Sequence, residues 1–409
     1  MRGLVLEGGG TKGAYQIGAY KALKGMGMDF QGITGSSIGA LNGAYMVQDD
    51  IRIMEEIWLE YDYKHFINVD FETYEKLKDM DLSMKRMNQI LSLIKKSFKE
   101  NDGIDITPLR EMLEDTLDED KIRNKGIDFG MVTMYIDKKL NPQSLFLEDI
   151  PKGRLVDYLI ASASLPIFKM NVMDNKLYVD GMFVDNLPIG MLEKKGYKDI
   201  VAIRIQDNLQ GTISIKKHSD LNLKVVYPSE YLGGSMNKDR DHIQKNINLG
   251  YLDTMKTFEK YDGVRFYFRN AGNITEDMCF EKIRRMKKED IKLLCQVFNI
   301  RRNPDLRTLM EAIIPKAGEL LSLPKNFTYR DLYFAFYENA LERNGKNRVK
   351  VYDINSVIND TYRDNLIDYR EFRREEVRLN IKQKKEHRKS VLVDCFISCL
   401  LYTSPSPRD

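Results

Sequence analysis

A serine lies at the centre of a short glycine-rich stretch near the start of the chain. Residues 33–44 read Ile-Thr-Gly-Ser-Ser-Ile-Gly-Ala-Leu-Asn-Gly-Ala, and Gly35-x-Ser37-x-Gly39 within them has the spacing of a nucleophile elbow. An elbow places a serine on a sharp turn between a buried strand and a helix, with its hydroxyl at the helix N-terminus. Flanking glycines remove the Cβ atoms that would collide as the strand and the helix fold back on each other. The motif alone is suggestive, and it predicts Ser37 as a nucleophile.

A second glycine-rich stretch precedes the serine. A short apolar strand over residues 3–6 is followed by Gly8-Gly9-Gly10-Thr11-Lys12-Gly13 and then by a predicted helix from Ala14. This spacing also fits a dinucleotide-binding loop, which requires a second strand ending in an acidic residue about 20 residues further on. Here the second strand, near residues 31–34, ends in Gly35-Ser36-Ser37. Two amide-rich turns, one of which carries a serine, favour the stabilisation of an oxyanion over the binding of a dinucleotide.

A carboxylate is predicted at the end of a later strand. Residues 171–179 read as a hairpin that turns at Asp174-Asn175, and its second strand leads to Asp180-Gly181. A base for Ser37 would be placed there. The alternative is that Asp180 is a turn residue bonded to its own backbone, and Asp185 is a nearby competitor for the role of base.

Composition describes a globular protein without a strong charge bias. The 409 residues are 43% hydrophobic and 31% charged, with a net charge of +3, which gives no global case for nucleic acid. The four cysteines have neither metal-ligand spacing nor a disulfide framework. We therefore expect no metal, no cofactor and a reducing cytoplasm. No signal peptide opens the chain, and no apolar run is long enough to span a bilayer.

The order of the elements predicts two domains. Strands near residues 129–135, 199–205 and 264–268 alternate with helices, which indicates an α/β fold with a mainly parallel sheet. We expect a first domain over residues 1–270 and a helical accessory region over 271–398. Residues 399–409 read as an in-frame translation of a sequencing adaptor and are expected to be an artefact.

Together the three motifs resemble the patatin-like phospholipases over about residues 1–270. The resemblance implies a three-layer α/β/α fold and hydrolysis of the acyl esters of lipids by a Ser-Asp dyad without histidine. It implies Ser37 as the nucleophile and Asp180 as the base, with Gly35, Gly39 and Gly181 as supporting motif residues. The oxyanion hole would be formed by the loop residues Gly8, Gly9, Gly10, Thr11, Lys12 and Gly13.

The sequence departs from the family at two positions. Met182 stands where the family usually has Gly or Ala, and it is expected to add bulk beside Asp180. Lys12 stands where Arg is common, which keeps the charge but loses the bidentate geometry. Desolvation beside Val179 and Phe183 would raise the pKa of Asp180 above its ordinary value of about 3.9 and make it a better base.

The leading hypothesis is a serine acyl hydrolase that acts on phospholipids or related lipid esters, with peripheral contact to a membrane surface. The alternative is a catalytically weak lipid-binding or scaffold protein of the same fold, suggested by Met182 and the large helical half. A helical insertion over residues 50–105 carries a methionine-rich stripe that includes Met80, Met84 and Met87 beside several lysines. The stripe is most simply a packed helix with a solvated basic face, and the sharper interpretation is an amphipathic cap that contacts lipid.

Overall fold

The computed structural model describes residues 1–80, 103–137, 139–169, 171–206, 215–216, 218, 220–363 and 381–402. The chain divides into two compact units, Met1–Phe258 and Glu259–Asp409. Most of the methionine-rich stripe falls in residues 81–102, so the predicted cap lies outside the described residues. The same is true of residues 403–409, which make up most of the predicted artefact.

An eight-stranded sheet forms the centre of the first unit. The order of the strands is β5-β6-β3-β2-β1-β7-β8, and β4 also pairs with β3. The strands are Arg2–Leu6 (β1), Gly32–Ser36 (β2), Asp128–Ile136 (β3), Leu140–Phe146 (β4), Asn171–Met173 (β5), Lys176–Asp180 (β6), Asp199–Ile203 (β7) and Asn222–Val226 (β8). The pairs from β3 through β2, β1 and β7 to β8 are parallel, while β4, β5 and β6 pair antiparallel. The prediction of a mainly parallel sheet flanked by helices is confirmed.

Strand β3 brings two distant segments of the chain together. Its first half pairs with β2, with Ser36 opposite Val132, and its second half pairs with β6, with Asp180 opposite Thr133. Val132 and Thr133 are consecutive residues. The end of β2 and the end of β6 are therefore held next to each other by the register of one strand.

The central strands carry runs of buried apolar residues because helices cover the sheet. Leu4, Val5 and Leu6 of β1 are fully buried, as are Ile200 and Ala202 of β7. Such continuous apolar runs are typical of parallel strands with both faces covered. The helices of this unit are Ala14–Gly25 (α1), Ile38–Gln48 (α2), Ile51–Leu59 (α3), Phe71–Leu77 (α4), Thr107–Thr116 (α5), Glu119–Asn124 (α6), Leu155–Ser162 (α7), Ile189–Lys194 (α8) and Arg240–Thr257 (α9).

The second unit is mostly helical. Its helices are Glu276–Arg284 (α10), Lys288–Val297 (α11), Leu306–Thr308 (α12), Ile314–Leu320 (α13), Tyr329–Arg343 (α14), Ile354–Arg363 (α15) and Ile381–Tyr402 (α16), and a π-helical segment Leu309–Ile313 joins α12 to α13. Helix α14 begins with a capping box, in which the side chains of Thr328 and Asp331 each accept a hydrogen bond from the other's backbone N–H.

The strand expected to close the first domain belongs instead to the second unit. It is observed as Tyr267–Arg269 (β9) and pairs in parallel with Val351–Asp353 (β10). The buried carboxylate of Glu338 in α14 accepts backbone N–H bonds from Val264, Arg265 and Phe266 just before β9. These contacts fix the segment to α14, and the first unit ends at Phe258, ahead of the boundary predicted at residue 270.

Among the described helices, none combines the length and the apolar character that crossing a membrane requires.

Candidate active site

Ser37 lies in the turn between β2 and α2 with a backbone conformation that few residues adopt. Its φ is 54° and its ψ is −127°, and it is the N-cap of α2. A non-glycine residue with positive φ costs free energy and persists only where its surroundings enforce it. Here the Ser37 N–H donates to Ser162 Oγ at 3.0 Å, and the Ser162 hydroxyl donates to the Val132 carbonyl at 2.7 Å. The strained turn is therefore tied to β3 through Ser162.

The two flanking glycines are required by close packing of the backbone. A Cβ on Gly39 would lie 2.3 Å from the carbonyl oxygen of Leu6, and a Cβ on Gly35 would lie 2.3 Å from the carbonyl carbon of Gly39. Real Cβ atoms do not approach backbone atoms this closely. The spacing of the two glycines is thus explained by the close contact between β1, β2 and the first turn of α2.

The structure brings the Asp180 side chain to the Ser37 hydroxyl. Ser37 Oγ donates to Asp180 Oδ2 at 2.6 Å, and the Met182 N–H donates to Asp180 Oδ1 at 2.8 Å. Asp180 is fully buried, and this burial raises its pKa to about 7 although both hydrogen bonds oppose the shift. A carboxylate with its pKa near neutrality is a far better proton acceptor than one in water. Gly181 is required beside it, since a Cβ there would lie 2.1 Å from the Val132 carbonyl oxygen.

Asp185 and Met182 take other roles. The Asp185 carboxylate accepts the N–H of Leu187 at 3.2 Å, two residues along the chain, as turn aspartates commonly do. Met182 is buried at 3% exposure, and among the described residues its side chain is not one of those lining the cavity at Ser37. Its contact with Asp180 is made through its backbone.

The glycine loop passes beside Ser37, but its six amides are not equivalent. The loop continues as a 3₁₀ helix, Gly10–Gly13. The Gly8 N–H donates to the carbonyl of Asn186 at 3.2 Å, and the Thr11 N–H donates to the carbonyl of Ser235 at 2.9 Å. These two amides are already used within the protein, so the prediction that the whole loop binds an oxyanion is too broad.

Gly9 and Gly10 are better placed to bind an anion. In the described part of the chain no acceptor takes their amides, as is usual where a helix begins. Gly10 lines the same cavity as Ser37. Its φ is 63°, and a Cβ on it would lie 2.0 Å from the carbonyl oxygen of Ser235. Lys12 Nζ lies 5.7 Å from the Tyr231 ring centroid, and Gly13 packs so closely against α2 that a Cβ on it would lie 2.6 Å from Ile38 Cγ1.

A buried polar network holds the start of the glycine loop in place. The Gly8 carbonyl accepts bonds from Gln206 Nε2 at 2.8 Å and from Asn186 Nδ2 at 3.0 Å. Glu7 Oε2 accepts the N–H groups of Ile205 and Gln206, and Arg204 lies 3.6 Å from the other Glu7 oxygen. Sequence reasoning missed Gln206 and Glu7. The available signal was that Glu7 follows directly on β1 and that Gln206 lies three residues after the end of β7.

An open, largely apolar cavity reaches Ser37. Its wall is formed by α2, α3, α5 and the loop between β8 and α9. The lining residues are Gly10, Thr11, Ser37, Ile38, Leu41, Trp58, Tyr63, Phe66, Ile67, Ile106, Leu109, Ala163, Leu165, Phe168, Ser235, Met236 and Lys238. A cavity of this composition suits an acyl chain. Sequence analysis had not assigned its wall, because the wall is assembled from segments far apart in the chain.

Metal-binding clusters are absent from the described residues: no group of three or more His, Cys, Asp or Glu is arranged to hold an ion. Cys279, Cys295 and Cys395 are buried in the second unit and are not joined in disulfides.

The fold and the site define an α/β protein with a serine elbow, a hydrogen-bonded aspartate and an amide-rich loop at one edge of the sheet. Residues 4–192 match the family model described as patatin-like phospholipase. The chain therefore carries a patatin-like phospholipase domain, as its three motifs predicted.

Two curated relatives are similar to this chain over about half its length. Patatin-like phospholipase domain-containing protein 7 of Rattus norvegicus is 26% identical over 222 residues, which cover 49% of this chain and 13% of that protein. Neuropathy target esterase sws of Drosophila melanogaster is 27% identical over 206 residues, which cover 50% of this chain and 13% of that protein. The chain thus corresponds to a small part of each of these relatives.

Among solved structures, VipD from Legionella pneumophila aligns with 99% of this chain and 92% of its own chain, at 12% identity and a TM-score of 0.39. A score that low carries no argument about this protein.

Proposed function

We propose that the protein is a serine acyl hydrolase that cleaves ester bonds of phospholipids or related lipids through a Ser37-Asp180 dyad. The 2.6 Å hydrogen bond from Ser37 Oγ to the buried carboxylate of Asp180 carries this proposal. The names of two relatives, neuropathy target esterase sws and lysophospholipase NTE1 of Cryptococcus neoformans, support ester hydrolysis.

The first half of the reaction forms an acyl-enzyme. Ser37 Oγ attacks the ester carbonyl carbon as its proton passes to Asp180 Oδ2. The carbonyl oxygen becomes an oxyanion that accepts bonds from the amides of Gly9 and Gly10. Each such donor contributes about 3 to 4 kcal/mol in comparable sites. As the tetrahedral intermediate collapses, the bond to the leaving alcohol breaks, and Asp180 returns the proton to the alcohol oxygen.

The second half releases the acid. A water molecule gives its proton to Asp180 as its oxygen attacks the acyl carbon, and the same amides hold the oxyanion. The Ser37 ester then breaks, and the proton returns from Asp180 to Ser37 Oγ. The acyl chain would lie along the apolar wall formed by residues such as Leu41, Leu109 and Phe168.

A lipid substrate would be met at an aggregate surface. Phe71 and Tyr231 are exposed at 65% and 72% and are of the type that enters a lipid interface. They support peripheral contact with a membrane.

Labelling with a fluorophosphonate tests the proposal directly. This probe reacts with activated serine hydroxyls, so we expect stoichiometric labelling of the folded protein, with the adduct mapped by mass spectrometry to Ser37. Turnover should be measured in parallel on p-nitrophenyl esters of short and long acyl chains. Folded protein that takes up no label at Ser37 and hydrolyses no ester would count decisively against a hydrolase.

The buried aspartate predicts the pH dependence of hydrolysis. Asp180 must be ionised to accept the serine proton, and its pKa is raised to about 7 by burial. We therefore expect kcat/KM to fall as pH drops below about 7 and to be level above it, rather than to titrate near the ordinary carboxyl pKa of about 4. A profile that stays flat down to pH 5 would contradict the role of Asp180 as base.

A matched pair of glycine variants tests the oxyanion loop. Gly10→Ala would force a Cβ to within 2.0 Å of the Ser235 carbonyl oxygen, so the loop must shift. We expect kcat/KM to fall by about 10²-fold or more, the cost of losing one oxyanion donor. Gly25→Ala is the control, because a Cβ there meets no atom within 4 Å. If both variants retain wild-type kcat/KM, the loop is not part of the machinery.

A further inference from the structure

Lys238 is a buried lysine in the wall of the cavity that reaches Ser37. It lies in the loop between β8 and α9, and it is 8% exposed. Its Nζ donates to the carbonyls of Ile57 at 2.9 Å and Trp58 at 2.7 Å. Both carbonyls belong to the last turn of α3, where a helix leaves its acceptors without internal partners. Two of the three ammonium donors are thus used to fix the side chain in place, and one is left for a ligand.

Aromatic rings complete the surroundings of this ammonium. Its Nζ lies 4.8 Å from the ring centroid of Phe66 and 5.2 Å from that of Trp58, and both rings also line the cavity. Ring faces attract a cation but do not neutralise it. Lys238 is the one charged residue among the described residues that line the cavity, in a wall that is otherwise apolar.

Charge balance around Lys238 is incomplete. Within the described part of the chain no carboxylate lies within ion-pair distance of it. Burial lowers its pKa to about 7, and the carboxylate of Asp62 opposes that shift from a distance. Nearby, the Tyr74 hydroxyl accepts the backbone N–H of Lys238, and the carboxylate of the adjacent Asp239 accepts the backbone N–H of His242. A buried cation without a counter-ion is costly unless a ligand supplies one.

We propose that Lys238 binds the phosphate of the lipid ester whose acyl group Ser37 removes, so that phosphate-bearing esters are preferred over uncharged esters of the same acyl chain. The inference rests on the proposed function and names the residue that selects the substrate class. Ser37 Oγ is bonded to Asp180, whereas Lys238 Nζ is bonded to the end of α3, so the two groups occupy different parts of the wall. Hydrolysis releases the carboxylate of the acyl group at Ser37. An anion bound at Lys238 is therefore a different group of the same substrate, such as its phosphate.

Paired substrates test the preference. Hydrolysis of 1-palmitoyl lysophosphatidylcholine and of 1-palmitoylglycerol should be compared for wild type, Lys238→Met, Lys238→Arg and the exposed control Lys64→Met. We expect Lys238→Met to lower the ratio of kcat/KM for the lysophosphatidylcholine to kcat/KM for the palmitoylglycerol by about tenfold. A change of this size is the scale of one charge-assisted hydrogen bond. Lys238→Arg, which keeps the charge, should retain a higher ratio than Lys238→Met, and Lys64→Met should leave the ratio unchanged. An equal fall on both substrates would assign Lys238 a structural role and overturn the proposal.

A binding measurement separates this proposal from the proposed function. Calorimetry on Ser37→Ala protein should use dodecylphosphocholine, dodecanoate and dodecyl maltoside, each below its micellar concentration. We expect Lys238→Met to weaken the binding of dodecylphosphocholine strongly and the binding of the other two ligands much less. Tighter Lys238-dependent binding of dodecanoate than of dodecylphosphocholine would overturn the phosphate assignment. If wild type hydrolyses no ester but binds the phosphocholine ligand in a Lys238-dependent way, the proposed hydrolase function is rejected and the proposed anion site is retained.

The same ligands give a test that needs no Lys238 variant, should Lys238→Met fail to fold. Phosphocholine binding to Ser37→Ala protein should weaken between pH 6 and pH 8.5 as the ammonium deprotonates, while binding of the maltoside stays constant. Phosphocholine binding that is equal at both pH values would contradict the proposal.

Discussion

Replacing Ser37 by alanine is expected to lower kcat for lipid ester hydrolysis by at least about 10⁴-fold, since removal of a serine nucleophile has effects of this order or larger. The hydroxyl is the atom that would form the acyl bond, and its 2.6 Å contact with Asp180 has no replacement in alanine. Alanine removes one oxygen from a site that stays packed around it, so the fold should be retained. The measurements are turnover of a fluorogenic lipid ester, fluorophosphonate labelling and a thermal melt.

The neighbouring serine supplies the matched control. Ser36 is fully buried at the end of β2, and its hydroxyl has no hydrogen-bond partner among the described residues. Ser36→Ala removes the same atom one residue away, and it should keep both labelling and turnover near wild type. If Ser36→Ala abolishes turnover while Ser37→Ala does not, the nucleophile has been assigned to the wrong residue.

Asp180→Asn is expected to lower kcat by about 10³- to 10⁴-fold, as in other sites where the acidic member of a catalytic serine centre is replaced. An amide keeps the shape of the carboxylate but cannot accept the Ser37 proton. Because KM depends mainly on the cavity, it should change little. Steady-state kinetics on the same substrate at pH 8, where Asp180 is ionised, give the comparison.

The control for Asp180 is its nearest competitor in the sequence. Asp185→Asn alters a carboxylate that accepts a local backbone bond from Leu187, and it should leave kcat within a few-fold of wild type. Loss of activity in Asp185→Asn with retention in Asp180→Asn would reverse the assignment.

Asp180→Asn should also be more stable than wild type at alkaline pH. Burial raises the pKa of Asp180 from 3.8 to about 7, so the folded protein binds the proton more tightly than the unfolded chain does. The free energy of unfolding of wild type therefore falls as pH rises from about 4 to about 7, by an amount on the order of a few kcal/mol. Asparagine does not titrate, so the advantage of the variant should be largest at pH 8 and absent near pH 4. Melting temperatures at the two pH values provide the check.

These variants also decide between the two functions considered from the sequence. A catalytically weak lipid-binding protein would bind lipid equally well with Ser37→Ala or Asp180→Asn and would show no turnover for either change to remove. Turnover that disappears in both variants, while Ser36→Ala and Asp185→Asn retain it, would exclude that alternative.

The features that could be predicted from the sequence are those whose causes are local. Gly35 and Gly39 flank Ser37 because the strand and the helix of the elbow pack closely within a few residues of each other. The resulting spacing of the glycines can therefore be recognised in the sequence. The same holds for the hairpin at Asp174-Asn175, whose two residues have φ of 52° and 58°, and for the cap of α14. The alternation of strands and helices was sufficient to predict a mainly parallel sheet.

The tertiary structure decided which distant groups meet. Ser37 and Asp180 are 143 residues apart in sequence, and they come together because Ser36 and Asp180 pair with consecutive residues of β3. The carbonyls that occupy the Gly8 and Thr11 amides come from Asn186 and Ser235, so no local pattern could show that these donors are already used. The position of Lys238 in the cavity wall also depends on a distant segment, because the carbonyls that its ammonium bonds lie at the end of α3. A backbone turn depends on its immediate neighbours, whereas the pairing of polar groups depends on strand register and packing between segments that sequence spacing does not encode.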